Sequence, residues 1–476
     1  MFISLQPKVY PRRSTQKRLF MKRFRKSIVA LLVLTFVSAV LFWHFQKSQN
    51  NMPTDIALMK EWYDLTLQIE SEVEGIAVPV AARFYGYFGF LGACLLATEN
   101  NDLQMIRQQF PELNLPEIQA HHKLNFGIAF NKAARLFISR YYINVPYHLN
   151  KRADELEEKW YNELMVGQDP TMLEHSKHVG RDVANAVYLW SAQDDQGHQA
   201  YLHNFDKEYV PPTGPGKWQP DDEHPMPALL PHWGRVRTFV ADSTKYSITQ
   251  LPPYTTDHSS VYYSQALELF TISAPLSYEN KWIAEFWSDD VRGLTFTPSG
   301  RWISILNQYL VQNPTSKEKA IEAYYKIGIA MSDALVACWR AKYKFNLERP
   351  ESYIRKNIHD DWRSFHHSPN FPSYPSGHSA LGGACSSVLI NMFGDQIDFT
   401  DYSHKDRIEF LGNPRQYNSF SAMAEESAYS RIPLGVHYRM DCQEGLRLGS
   451  LIGKKATEVK ILSKDHKMAK GPISSI

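Results

Sequence analysis

EKAIEAYYKIGIAMSDALVACWRAKYKFNLERP, residues 318–350, sets apolar side chains three and four apart over most of its length. The pattern predicts one long helix that stops where Pro350 follows Arg349. The same period runs through AARFYGYFGFLGACLLA, IAFNKAARLFISRYY and VGRDVANAVYLWSA upstream, and through SVYYSQALELFTI, ENKWIAEFWSDD and RWISILNQYL closer to it. HLNKRADELEEKWYNEL adds charges at helical spacing, as a solvated face does. Two more helices are expected around residues 419–429 and from about 437 to 459. Between the two sets, residues 210–253 hold nine prolines. That is too many for a helix or a central strand, so a long ordered loop is expected to join two helical units. There is no repeat and no convincing sheet pattern. The expected fold is all-α, two helical bundles, residues 51–250 and 251–460.

At 476 residues, with 13% aromatic and 21% charged side chains, this is a core-forming chain and not a disordered one. The formal charge of +2 misleads. Residues 1–26 hold nine Lys or Arg and no acid, and removing them leaves 43 basic against 50 acidic residues, a net of −7. A nucleic-acid binder keeps its basic surplus on the folded part, so that class is set aside. Residues 27–46, SIVALLVLTFVSAVLFWHFQ, carry no charged side chain and are long enough to cross a bilayer. With the cations before them, they predict a transmembrane helix with a cytoplasmic tail (residues 1–50) and the rest of the chain extracytoplasmic. A signal peptide cut near Val37-Ser38-Ala39 would export the same domain and leave it secreted. No other segment reads as a membrane span. Cys94, Cys338, Cys385 and Cys442 have no metal-ligand spacing and read as buried small apolar residues.

Three clusters carry chemistry. Lys342 and Arg349, seven apart at the end of the predicted helix, would lie two turns along one face, where their heads can converge; alone they would be a solvated basic face. In FPSYPSGHSALGGAC, residues 371–385, Pro375 and Ser376 precede a small-residue helix that places Gly377 and His378 at its N-terminus, where unpaired backbone N–H groups favour an anion. An ordinary capped helix with a solvent-facing histidine would show the same four residues. In SRIPLGVHYRMD, Ser430 and Arg431 precede His437, and Asp441 follows it by four, so a carboxylate can accept the imidazole N–H and leave the other nitrogen as nucleophile or ligand. Together these supply three cations, a hydroxyl, a helix N-terminus and two histidines, a set suited to a tetrahedral oxyanion. One histidine can attack while the other protonates a leaving group.

Lys342-x6-Arg349-Pro350, Pro375-Ser376-Gly377-His378 and Ser430-Arg431-x5-His437-x3-Asp441 resemble the three motifs of the superfamily uniting type-2 phosphatidic acid phosphatases, class A bacterial acid phosphatases and vanadium-dependent haloperoxidases. The resemblance implies that Lys342, Arg349, Arg431, Ser376 and the Gly377 amide hold the oxyanion. It implies an acid–base role for His378, and makes His437, oriented by Asp441, the axial vanadate ligand or the phosphatase nucleophile. A single span and a large remainder resemble the haloperoxidase branch, as do AARFYGYFGFLGACLL, VPPTGPGKWQP and ENKWIAEFWSDD, so the likeness covers most of residues 70–455. That branch places an acidic residue of its AEFW helix against the second arginine; Asp290 is the best match, unless it is a surface acid. Phe371 stands where chloride-oxidising relatives have an aromatic, and Glu348 replaces an aromatic before the arginine. The halide stays open. His366 and His367 are candidates for the entrance or for solvated loop residues.

The implied function is peroxide-dependent halide oxidation at a histidine-bound vanadate. The alternative is a phosphomonoesterase that works through a phosphohistidine and needs no vanadate, with a phosphate ester in place of peroxide and halide. A third reading, from another class, is an inactive anchored scaffold. Oligomeric state has no signal in the sequence.

Overall fold

Capping side chains mark where the helices begin. Asn125, Asp169, Ser260, Ser277, Thr297, Ser316, Ser376 and Ser419 each accept a backbone N–H from the first turn of the helix that follows. The structure, a computed structural model, describes residues 52–117, 123–220, 225–289, 291 and 293–463. The expected anchor (residues 27–46) and Asp290 therefore lie outside the described residues.

Six helices precede the proline-rich stretch: α1 (Thr54–Glu72), α2 (Val78–Glu99), α3 (Leu103–Gln109), α4 (Phe126–Tyr141), α5 (Tyr147–Leu164) and α6 (Pro170–Ala192). Eight follow it: α7 (Val261–Ser273), α8 (Tyr278–Phe286), α9 (Pro298–Gln312), α10 (Lys317–Phe345), α11 (Pro350–Asn357), α12 (Gly377–Phe393), α13 (Phe420–Tyr429) and α14 (Arg439–Thr457). The described residues are thus predominantly helical, as the periodicity predicts. One sheet had no counterpart in the sequence reading: β1 (Gln396–Asp401) pairs antiparallel with β2 (Arg415–Ser419). Its strands, QIDFTD and RQYNS, alternate too weakly to announce themselves, and contacts from their side chains to the helices hold them.

The core centres on α2 and α10, which pack along each other from opposite sides of residue 250. Their backbones approach so closely that a Cβ on Gly89 would lie 2.7 Å from the Tyr324 carbonyl oxygen. Around the crossing, Tyr63 stacks on Tyr324 at 3.9 Å and meets Phe88 edge-on at 4.9 Å. By length and composition α2 could cross a membrane, contrary to the sequence reading, but its apolar window is wholly buried inside the fold. Residues 225–253, in the described part of the proline-rich stretch, are held against the core. Asp333 of α10 accepts three of its successive backbone N–H groups, from Phe239 (2.7 Å), Val240 (2.9 Å) and Ala241 (2.8 Å). The four cysteines are buried and free. At the far side α12 packs on α10 and α14, and a Cβ at Gly445 of α14 would press within 2.7 Å of the Ser379 side chain. That closeness sets the start of α12 against the start of α14.

Candidate functional site

The helix carrying Lys342 does not run on to Arg349. It ends at Phe345, where Asn346 turns left-handed (φ 51°) and its N–H donates to the Lys342 carbonyl. Pro350 becomes the first residue of α11 and Arg349 its N-cap. The two cations therefore converge across a turn, and a shared helix face is not the cause. Lys342 is fully buried, and its Nζ donates to the carbonyls of Pro372 and Ser373, both at 2.9 Å. Arg349 donates from Nε to Phe371 O and from Nη1 to Val436 O, both at 2.9 Å, while Nη2 is buried without a partner. Phe371 lies under both, 4.8 Å from the Arg349 guanidinium carbon and 5.0 Å from Lys342 Nζ, and packs on Trp339.

Ser376 caps α12, its Oγ accepting the Ser379 N–H at 3.3 Å, and its own N–H donates to Asp441 O at 2.9 Å. Gly377 opens the helix, where a Cβ would come within 3.3 Å of the Trp339 ring. His378 follows, its Nε2 buried and without a partner. His437 sits just ahead of α14, outside the helix on which the sequence placed it; Tyr438 is the N-cap and Asp441 lies in the first turn. The pairing survives this shift, because a residue before the cap and the third helical residue face each other. Asp441 Oδ2 accepts from His437 Nδ1 at 3.0 Å, Ser373 Oγ at 2.5 Å and Tyr438 N at 3.2 Å. His437 Nε2 lies 3.2 Å from Arg349 Nη1.

Arg431 donates from Nε to Ser430 Oγ at 2.9 Å and from Nη2 to Trp287 O at 2.5 Å. Ser430 thus steers the arginine. Among the described residues, none of Lys342, Arg349 and Arg431 makes an ion pair, although all three are buried; carbonyls and a hydroxyl take their protons. Burial pushes the Lys342 ammonium down, with the Arg349 charge acting in the same sense, and brings Arg349 and Arg431 down to about 10. Burial first, then these cations, hold both His378 and His437 well below the usual imidazole range, hence neutral. Burial raises the Asp441 carboxyl, opposed by Ser373, Lys342 and Arg349.

This is a pocket short of negative charge. Two orphaned polar nitrogens, Arg349 Nη2 and His378 Nε2, and three cations that make no ion pair among the described residues fit a tetrahedral oxyanion such as vanadate or phosphate.

Sequence reasoning missed Ser373, which bonds Asp441 and lies 3.3 Å from His437 Nδ1. Its place three residues before Ser376 was the available signal. It also missed the buried Arg301, paired with Asp289 (3.2 Å) and Asp401 (2.9 Å), and His404, whose Nε2 lies 2.7 Å from Asp289. Asp289, next to Asp290 in the chain, is a described carboxylate whose charge acts on Arg431. A cavity of about 730 Å³ reaches Arg349 and is lined also by Trp218, Met226, Glu348, Lys356 and His367. Glu348 is buried, and burial raises its carboxyl to about 7, opposed by Lys356. His366 is half-buried and within electrostatic reach of Arg431.

Residues 322–462 match the family model described as the VCPO second helical-bundle domain. A vanadium-dependent bromoperoxidase of Ascophyllum nodosum is 32% identical over 105 residues, 20% of this chain and 19% of that protein. A vanadium chloroperoxidase of Curvularia inaequalis is 23% identical over 217 residues, 33% of this chain and 35% of that protein. The matched stretches thus span well under two thirds of these curated relatives. Among solved structures, a bacterial vanadium-dependent iodoperoxidase superposes with a TM-score of 0.75 at 27% identity, covering 86% of this chain and 98% of its own. A bacterial vanadium-dependent chloroperoxidase shares the fold, with a TM-score of 0.62 at 18% identity over 82% of this chain and 93% of its own. The three motifs, the helical fold and the anion-deficient pocket agree with these likenesses, which together support the vanadium-dependent haloperoxidase branch.

Proposed function

We propose that the chain is a haloperoxidase that holds vanadate at His437 and uses hydrogen peroxide to oxidise a halide. The observation that carries this reading is the set of three buried cations that make no ion pair among the described residues, around two neutral histidines. Lys342, Arg349 and Arg431 would hold the oxyanion's charge, with Ser376 and the Gly377 N–H completing the shell. His437, its Nδ1–H on Asp441, presents the Nε2 lone pair as ligand. His378, neutral at the start of α12, can accept or return a proton at Nε2. Vanadate, when bound, would supply the activation of peroxide toward the halide. The likeness to a bacterial iodoperoxidase over nearly that protein's whole length supports this chemistry over ester hydrolysis.

The same pocket suits a phosphate ester, with His437 as nucleophile, and that is the second reading. We further propose that the nine cations ahead of residues 27–46 keep the N-terminus cytoplasmic and the folded part outside, and that residues 51–250 and 251–460 form two halves. The test compares full-length protein loaded with orthovanadate, assayed for peroxide-dependent oxidation of iodide, bromide and chloride, with vanadate-free protein assayed on a phosphate monoester. Halide oxidation that needs vanadate is expected. Brisk ester hydrolysis with no halide oxidised would overturn the first reading in favour of the second.

A further inference from the structure

The hairpin is too short to be stable alone, yet its side chains reach the groups that surround Trp287, whose carbonyl meets Arg431. Asp401, at the end of β1, is fully buried, and its Oδ2 accepts from Arg301 Nε at 3.1 Å. Three residues on, His404 is buried with its ring stacked on Phe296 at 5.4 Å and its Nε2 2.7 Å from Asp289 Oδ1. The same Asp289 oxygen accepts from Arg301 Nη1 at 3.2 Å, and that nitrogen also donates to Phe286 O at 3.1 Å. The Arg301 guanidinium lies 4.6 Å over the Trp287 ring. From the other strand, Arg415 (2.8 Å) and Tyr417 (2.6 Å) donate to Glu426, whose Oε1 accepts the Trp287 indole N–H at 3.0 Å. Trp287 is therefore gripped on its ring face and on its indole nitrogen. Its carbonyl receives Arg431 Nη2 at 2.5 Å.

We propose that the β1–β2 hairpin is a clamp for the anion site, with His404 and Tyr417 as positioning residues that fix the Trp287 carbonyl and thereby aim Arg431 at the oxyanion. The inference rests on the reading of Arg431 as an oxyanion-binding residue. Neither His404 nor Tyr417 touches the anion in this scheme. The charge of the cluster fits the role: Arg301 is matched by Asp289 and Asp401, and His404, held below the usual imidazole range by burial and by Arg301, adds none. One carboxylate is thus left over to draw on Arg431, and Asp289 Oδ2, buried and unpartnered, is the atom that offers it.

The test is a double-mutant cycle read as orthovanadate affinity of the vanadate-free, full-length protein by titration calorimetry. His404→Ala is expected to weaken binding about tenfold, His404→Gln, which keeps a nitrogen donor, to recover most of that, and Tyr417→Phe, the mildest change, to cost about two- to threefold. In an Arg431→Ala background, each of these changes should cost less than twofold more. Tyr417→Phe carries the test alone if His404→Ala does not fold, as judged by circular dichroism. Equal losses with and without Arg431, or no loss in either background, would overturn the clamp while leaving the anion site standing. Failure of the unaltered protein to bind orthovanadate would overturn the site and the clamp together.

Discussion

His437 and His378 are both neutral imidazoles under the same three cations, but only His437 has a carboxylate behind it. Replacing His437 by Ala should therefore abolish vanadate retention and ester hydrolysis together, because His437 alone of the two has its Nδ1 held by a carboxylate that leaves Nε2 as a ligand. His378→Ala should still bind vanadate, weakened by roughly 1–3 kcal/mol, while turnover falls by about 10² to 10⁴. The reverse order, measured by vanadate titration and by steady-state rate, would exchange the two roles. Glu348 gives a second prediction at this scale. Its carboxyl, raised to about 7 on the wall of the cavity that reaches Arg349, is neutral below that pH and charged above it. Anion affinity should then fall as pH rises through about 7, since a carboxylate there repels incoming anions. Glu348→Gln should lessen that fall, the remainder coming from Lys342, whose ammonium is also pushed down by burial, and an unchanged pH profile in that variant would remove Glu348 as a cause.

The motifs were legible residue by residue, but the elements holding two of them were not. Lys342 and Arg349 read as one helix face when Pro350 serves as the stop signal. The stop actually used is Asn346, one of the residue types that adopt the left-handed conformation at a helix end, a signal the sequence reading passed over. His437 and Asp441 likewise read as a helical i, i+4 pair, and the pairing holds although the helix begins between them. The hairpin escaped notice because its strands owe their place to Arg301, Asp289 and Glu426, contacts that no local pattern announces. Asn346 also carries a prediction. Its backbone bonds Trp218 of the proline-rich stretch at 2.9 Å and leads directly into Arg349. Asn346→Val should cost about 1–2 kcal/mol in denaturant unfolding, from the left-handed strain alone. Asn346→Gly should be nearly neutral for stability, and a valine variant as stable as the parent would show that the turn can re-form otherwise.

At the scale of the whole molecule, helix content was readable from period alone, whereas the pairing of α2 with α10 across the proline-rich stretch was not, since nothing local says which helices meet. Topology is the matching prediction. A reporter fused after residue 50 should lie outside the cytoplasm, because nine cations resist translocation; a cytoplasmic reporter would refute the proposed orientation. That route gives α2 a second significance. A chain threaded unfolded across a bilayer presents Val78–Glu99 to the insertion machinery before any partner has covered it, and by length and composition the segment could lodge there. Near its start stands Arg83, which in the finished fold donates to Tyr141 Oη at 2.8 Å and to Ser191 O at 2.7 Å. In transit the same charge would oppose partitioning into lipid by up to about 3 kcal/mol. Arg83→Leu should therefore cause a fraction of nascent chains to halt as two-span products, detectable as new protease-protected fragments, so that one buried arginine acts as a stop-transfer suppressor before it becomes part of a core.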